Sequence, residues 1–248
     1  MLLVIIAALL PAAGLLYFIW NKDKFRKEPT RELLRGFGYG MLSVPASLLL
    51  SMPLMLAGVY TMQPDTAGEC ISTALFGAGI PEEAAKFFLL VLFLRKNRYF
   101  DEYMDGIVYA VCIGLGFASL ENIGYLFGNL SQWLGVGVLR GLLSVPAHFF
   151  LAVTMGYFYS LAVFGDSSKR RINLILAVAV PMLLHAAFDA LLMMSGVGAS
   201  IAASAVTLFL GLYIYLIVSS RKRIEKHLAR DETFVGQGAD DQSGSTEA

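Results

Sequence analysis

Residues 79–94 read GIPEEAAKFFLLVLFL. From Phe87 onward the run is wholly apolar, yet Glu82, Glu83 and Lys86 stand at its head. The preceding residues 71–78, ISTALFGA, carry no charge. Together the block is long enough to cross about 30 Å of hydrocarbon at a helical rise of about 1.5 Å per residue. It reads as a membrane span that holds three ionisable side chains. Each such group costs about 2.5–3.5 kcal/mol at a helix centre, so the three must pair, neutralise or face a wet cavity.

The rest of the chain repeats the pattern. Of its 248 residues 57% are hydrophobic and only 15% charged, against roughly 25% charged in a soluble domain. Apolar residues come in long blocks rather than at helical or strand period. Seven spans are expected, at roughly 2–20, 37–60, 71–94, 104–127, 138–164, 172–194 and 199–219. The first block has no basic residue before it and four after it (Lys22, Lys24, Arg26 and Lys27). It therefore reads as a retained helix and not a cleaved signal peptide. Seventeen of the nineteen Lys and Arg residues fall in alternate connections or in the tail. Those segments are expected in the cytoplasm, which places the N-terminus outside and the C-terminus inside. The fold expectation is an all-α, polytopic membrane helical bundle of about seven helices, a multi-pass protein of the cell membrane. Residues 1–220 form the transmembrane domain. Residues 221–248 form a basic cytoplasmic tail, expected to be disordered from about 231, with His227 exposed to solvent. Cys70 and Cys112 are expected to stay unpaired. A zero net charge and the absence of a phosphate-binding loop give no sign of a nucleic-acid partner or an organic cofactor.

The two basic residues outside the alternating pattern, Lys86 and Arg140, lie in or beside spans. With Glu82, Glu83, Glu121 and Asp189 they make six charged groups among the apolar blocks. Unpaired, these would cost on the order of 15–20 kcal/mol, more than a typical stability of about 5–15 kcal/mol. Asn122, His148 and His185 share the same spans. Counted from the expected span ends, these groups lie in the middle or outer half of the membrane, which points to one pooled site.

Spacing adds detail. Lys86 is four residues from Glu82 and three from Glu83, within reach of both on a helix. Adjacent glutamates point about 100° apart, so one is expected to face a reacting atom and the other to hold Lys86. Gly77, Gly79 and Pro81 suggest that a helix restarts at Pro81. His185 and Asp189 are spaced so that the carboxylate can orient the imidazole or share a metal with it. Arg140, Ser144 and His148 form a row in which Pro146 introduces a kink. Each motif alone also has a structural reading, as a packed ion pair or an interhelical hydrogen bond. Gly114 and Gly116 read as close-packing positions.

Taken in order, Glu82-Glu83-x-x-Lys86, Phe117-x-x-x-Glu121-Asn122-x-x-Tyr125, Pro146-x-His148-Phe149 and His185-x-x-x-Asp189 resemble the motifs of PrsW intramembrane proteases. The resemblance covers about residues 80–190. The wider group, with CAAX-prenyl proteases and bacteriocin-processing enzymes, typically shows Glu-Glu-x-x-x-Arg and Phe-x-x-x-His. Here Lys86 comes one position early, Phe87 takes the Arg place and Glu121 replaces the histidine. The resemblance implies an intramembrane endopeptidase that cleaves a single-pass membrane protein near its extracytoplasmic side, with anti-sigma factors as the associated substrates.

The expected chemistry is hydrolysis. Glu82 or Glu83 activates water, and His148 and His185 bind a metal or stabilise the oxyanion. Glu121 completes the site, while Lys86, Asn122, Arg140 and Asp189 support it. Zinc is the candidate metal, with His148, His185 and Asp189 as candidate ligands. The alternative is an ion or proton-coupled transporter or channel using the same Glu, Lys and His groups. No matching pair of broken segments marks an inverted repeat, which weakens that alternative. A non-catalytic scaffold is the third option.

Overall fold

The computed structural model describes residues 1–244, and the side chains of residues 1–233. The described chain is helical throughout: α1 (Leu2–Lys22), α2 (Thr30–Leu56), α3 (Ala67–Ser72), a π-helical stretch (Thr73–Gly79), α4 (Ile80–Leu94), α5 (Tyr103–Gly128), α6 (Trp133–Leu142), α7 (Ser144–Phe164), α8 (Arg170–Met194) and α9 (Ala199–Gly244). Among the described residues six stretches are long and apolar enough to cross a membrane: 2–22, 30–56, 103–128, 133–164, 167–194 and 199–233. The third expected span is not one helix. α4 alone has 15 residues, about 22 Å, and α3 with the π stretch lengthens it. Exposed Leu49, Leu56 and Leu208 fit contact with lipid rather than water.

α5 is the axis. Its apolar window is 83% buried, and glycines bring its neighbours to backbone contact. A Cβ on Gly40 of α2 would fall on the Ile113 carbonyl of α5, and one on Gly116 of α5 on the Phe37 carbonyl of α2. On the other flank, a Cβ on Gly114 would stand 2.7 Å from the Ala152 Cβ of α7. Small residues at such crossings let membrane helices pack without a hydrophobic drive between them. Gly114 and Gly116 are thus close-packing positions, as expected.

Helix ends follow local chemistry. Thr66 and Glu69 form a capping box that starts α3. At the head of α5, Asp105 accepts the Asp101 and Glu102 N–H groups at 2.8 and 2.6 Å. Asp231, from α9, accepts those of Tyr103 and Met104 at 2.7 and 2.8 Å. Two aspartates therefore serve backbone donors that a helix start leaves without partners.

That contact corrects the expectation for the tail. α9 stays helical to Gly244, and its stretch to Thr233 runs about 50 Å, well beyond the hydrocarbon thickness of about 30 Å. The protruding part folds against α5 and α7. His227, expected in solvent, is buried: its Nε2–H donates to the Tyr157 carbonyl at 3.1 Å and its ring stacks on Tyr157. Residues 245–248, also expected to be disordered, lie outside the described residues. Cys70 and Cys112 are free and buried.

Candidate active site

The ionisable groups of five helices, α4 to α8, meet. Their setting begins with the π stretch, which widens the helix just ahead of Pro81. Pro81 sits in the first turn of α4, where its missing N–H costs nothing. The expected restart at Pro81 is thus a change of helix type, not a gap. Glu82 and Glu83 follow in the same turn, where the positive end of the helix dipole favours carboxylates.

Lys86 bridges both glutamates. Its Nζ lies 2.8 Å from Glu83 Oε1 and 3.3 Å from Glu82 Oε2. The division of labour expected from the 100° separation is softened by the length of the lysine side chain. Nζ also sits 3.9 Å from the centroid of Phe117 and 3.1 Å from His148 Nδ1. An ammonium only donates, so His148 Nδ1 accepts and its Nε2 carries the proton. That Nε2–H points at Glu121 Oε2, 3.1 Å away. Arg140 holds Glu121 by its Nη2 at 2.7 Å, and its Nε donates to Asn122 Oδ1 at 2.9 Å. Asn122 in turn donates to the Ala8 carbonyl, tying the site to α1. The Arg140 guanidinium covers the ring of Tyr125 at 3.8 Å.

His185 completes the cluster from α8. Its Nδ1–H donates to Glu83 Oε1 at 2.9 Å. Its Nε2 stands 3.5 Å from Asp189 Oδ2 and 3.9 Å from Glu82 Oε2, so its lone pair is not tied to a donor there. The two imidazoles meet edge to face, with centroids 5.2 Å apart. Arg140, Ser144 and His148 do not share one helix, because the chain breaks at Leu143 between α6 and α7. Pro146 then falls in the first turn of α7, and the expected kink is displaced to that break.

These groups border a cavity of about 680 Å³. Glu82, Glu121, His148, His185 and Asp189 line it, with Arg140 and Tyr125 at its wall. Glu83 and Lys86 stand behind. Sequence reading missed one wall, where α2 contributes Ser47 and Ser51. With Ser43 these serines recur every four residues, a spacing that would have placed them on one face.

The residues fit a metal ion of the zinc type. Ligand atoms of Glu82, Glu83, His148 and His185 lie within 4.8 Å of one another, and carboxylate with imidazole is a zinc donor set. Buried Glu83 Oε2 has no hydrogen-bond partner. Asp189, expected among the ligands, falls outside this set. Its short side chain reaches only the histidine one turn away on its own helix, while the glutamates reach across from α4.

A helical membrane bundle that keeps carboxylates, imidazoles and an ammonium around a cavity among its spans has the groups that hydrolysis inside the membrane needs, and comparison with known proteins places it among intramembrane hydrolases. Residues 28–220 match the family model described as PrsW family intramembrane metalloprotease. The chain is 38% identical to Protease PrsW of Clostridioides difficile strain 630 over 75% of its own length and 77% of the relative's. It is 34% identical to Protease PrsW of Bacillus subtilis strain 168, over 77% and 84%. No solved structure matches it. The chain belongs to the PrsW family: it is an intramembrane protease and a multi-pass protein of the cell membrane.

Proposed function

We propose that this protease hydrolyses a peptide bond of a single-pass membrane protein near the extracytoplasmic side, with a membrane-anchored anti-sigma factor as the candidate substrate. The N-terminus lies outside and the C-terminus in the cytoplasm, as the basic connections suggest. Residues 1–220 are the catalytic unit. The supporting observation is the convergence of Glu82, Glu121, His148, His185 and Asp189 on one cavity.

Glu82 is the general base in this reading. It faces the cavity, whereas Glu83 is 1% exposed and spends Oε1 on Lys86 and His185. Glu82 takes a proton from the attacking water and returns it to the departing amine. Glu83 fixes His185, and Lys86 balances the two carboxylates. Arg140 and Glu121 hold His148 in the tautomer that leaves Nδ1 toward the cluster. Glu83, His148 and His185 would hold zinc, with Asp189 orienting His185. Bound zinc supplies Lewis-acid polarisation of the scissile carbonyl. The cavity wall of Leu139, Leu143, Phe188 and Leu192 suits an apolar substrate segment, and Ser47 and Ser51 offer hydroxyls to its unwound backbone.

Cleavage by the reconstituted protein tests this. Glu82→Gln should lower turnover by roughly 10²–10⁴-fold, and Asp189→Asn by about 10–100-fold. A chelator should stop cleavage and zinc restore it. Full cleavage by Glu82→Gln would remove the proposed base. An intact anti-sigma factor beside a cleaved unrelated substrate would remove the proposed substrate.

A further inference from the structure

A second cavity, of about 500 Å³, lies at the far end of α4, where Arg95 stands about 14 Å along the helix from Lys86. Its volume is in the range of small-ligand sites, about 300–1,000 Å³. Two parts of the chain line it: the start of α2 with the residue before it, and the end of α4 with the connection that follows. Five of the lining side chains are cations, Arg31 and Arg35 on α2 and Arg95, Lys96 and Arg98 after Leu94. They share the cavity with one carboxylate, Glu32.

The positive charge is not met within the pocket. Arg35 Nη1 holds both oxygens of Glu32, at 2.9 and 2.8 Å. Arg98 donates to the Tyr99 hydroxyl at 2.7 Å, a neutral partner that leaves its charge in place. Among the described residues Arg31, Arg95 and Lys96 have no ion-pair partner. Pro29 also lines the cavity, and no side chain caps the start of α2. The first N–H groups of that 27-residue helix therefore add to the positive field. Topology alone accounts for basic residues on this side of the membrane. It does not require two connections some sixty residues apart in the chain to bring theirs round one cavity.

Away from the cations, both helices turn apolar on the same face. Positions 88, 92 and 95 share a face of α4, where Phe88 is exposed and Leu92 half-buried. Positions 35, 39 and 42 share a face of α2, where Leu42 is exposed and Tyr39 half-buried. Leu92 and Tyr39 themselves line the cavity. The two helices are joined at this level: the ring of Tyr39 lies 5.2 Å from that of Phe93, and the Arg35 guanidinium 5.8 Å from the same ring. Cations at the membrane surface with apolar faces leading from them into hydrocarbon match a phospholipid, which has an anionic head above acyl chains. A soluble phosphate would use only the first of these features. We propose that this pocket binds the phosphate headgroup of an anionic phospholipid through Arg31, Arg95 and Lys96, with the acyl chains lying on Phe88, Leu92 and Leu42. In the orientation proposed above, the lipid belongs to the cytoplasmic leaflet. Its headgroup ties the start of α2 to the end of α4, the helix that presents Glu82, Glu83 and Lys86. The site is separate from the protease cluster, and its test does not depend on catalysis.

The test uses the full chain in neutral detergent, stripped of lipid, with bound lipid read by native mass spectrometry. Phosphatidylglycerol and phosphatidylcholine of the same acyl composition are titrated separately. One phosphatidylglycerol should bind, roughly ten-fold or more tightly than phosphatidylcholine. That comparison is made on the parent protein and does not depend on how a variant folds. Each cation beside an anionic lipid is worth about five-fold in affinity. The Arg31→Gln/Arg95→Gln variant should therefore bind phosphatidylglycerol roughly 25-fold more weakly. Lys169→Gln/Arg171→Gln, which removes two cations from another basic connection, should bind it as the parent does. Excess inorganic phosphate should leave the lipid in place, because it has no acyl chains to lie on Phe88 and Leu92. Equal affinity for the two lipids, undiminished binding by Arg31→Gln/Arg95→Gln, an equal loss in the two double variants, or displacement by inorganic phosphate would each overturn the proposal.

Discussion

Replacing Lys86 with methionine removes the cation on which the intramembrane site is built. The Lys86 side chain is 3% exposed and that of Glu83 is 1% exposed, and their charges meet at 2.8 Å. Glu82 and His148 contact the same ammonium. Taking one partner from a buried pair costs about 3–5 kcal/mol, because a charge is left in a poorly polar interior. For a chain of this size that corresponds to a fall of roughly 6–20 °C in Tm. Removing both partners is far milder, since no uncompensated charge remains. The Lys86→Met/Glu83→Gln double variant should therefore recover about 2 kcal/mol relative to the sum of the single losses. Glu82 limits the recovery, because it loses its partner in both backgrounds. Equilibrium unfolding in mixed micelles, followed by circular dichroism, measures all four corners of the cycle. A Lys86→Met loss below about 1 kcal/mol, or a cycle with no coupling, would show that the pair is not buried as described.

Gly40→Ala should destabilise by about 1–3 kcal/mol in the same unfolding assay, because its Cβ meets the Ile113 carbonyl. Gly38→Ala, with nothing within 4 Å of the added Cβ, should be neutral or gain up to about 1 kcal/mol. Equal effects would contradict the α2–α5 contact. In metal-free buffer, stability should rise as the pH is lowered from 8 toward 5. Folding raises Asp23 to about 6 and Glu28 and Glu102 to about 7, so the folded state binds more protons than the unfolded chain in that window. Asp23→Asn should flatten the profile measured by Tm against pH, and an unchanged slope would remove Asp23 from the cause.

The sequence by itself determined six of the seven expected membrane spans and the cast of the site. Desolvation of an apolar block is a property of that block, so Leu2–Lys22 or Tyr103–Gly128 could be read without knowing their neighbours. Charges inside such blocks are expensive wherever they land, and Glu82, Glu83, Lys86, Glu121, Arg140, His148, His185 and Asp189 stood out for that reason. Only the tertiary structure decided who meets whom. Lys86 touches both glutamates because its side chain is long, and Asp189 lines the cavity yet stays outside the group that could share a metal because its own is short. The serines of α2 became a cavity wall only when α2 packed on α5. His227 and Asp231 looked like solvated tail residues, since nothing in the tail itself could bury them. The faces that cover them belong to α5 and α7, more than sixty residues away, and partners that distant leave no mark in local composition.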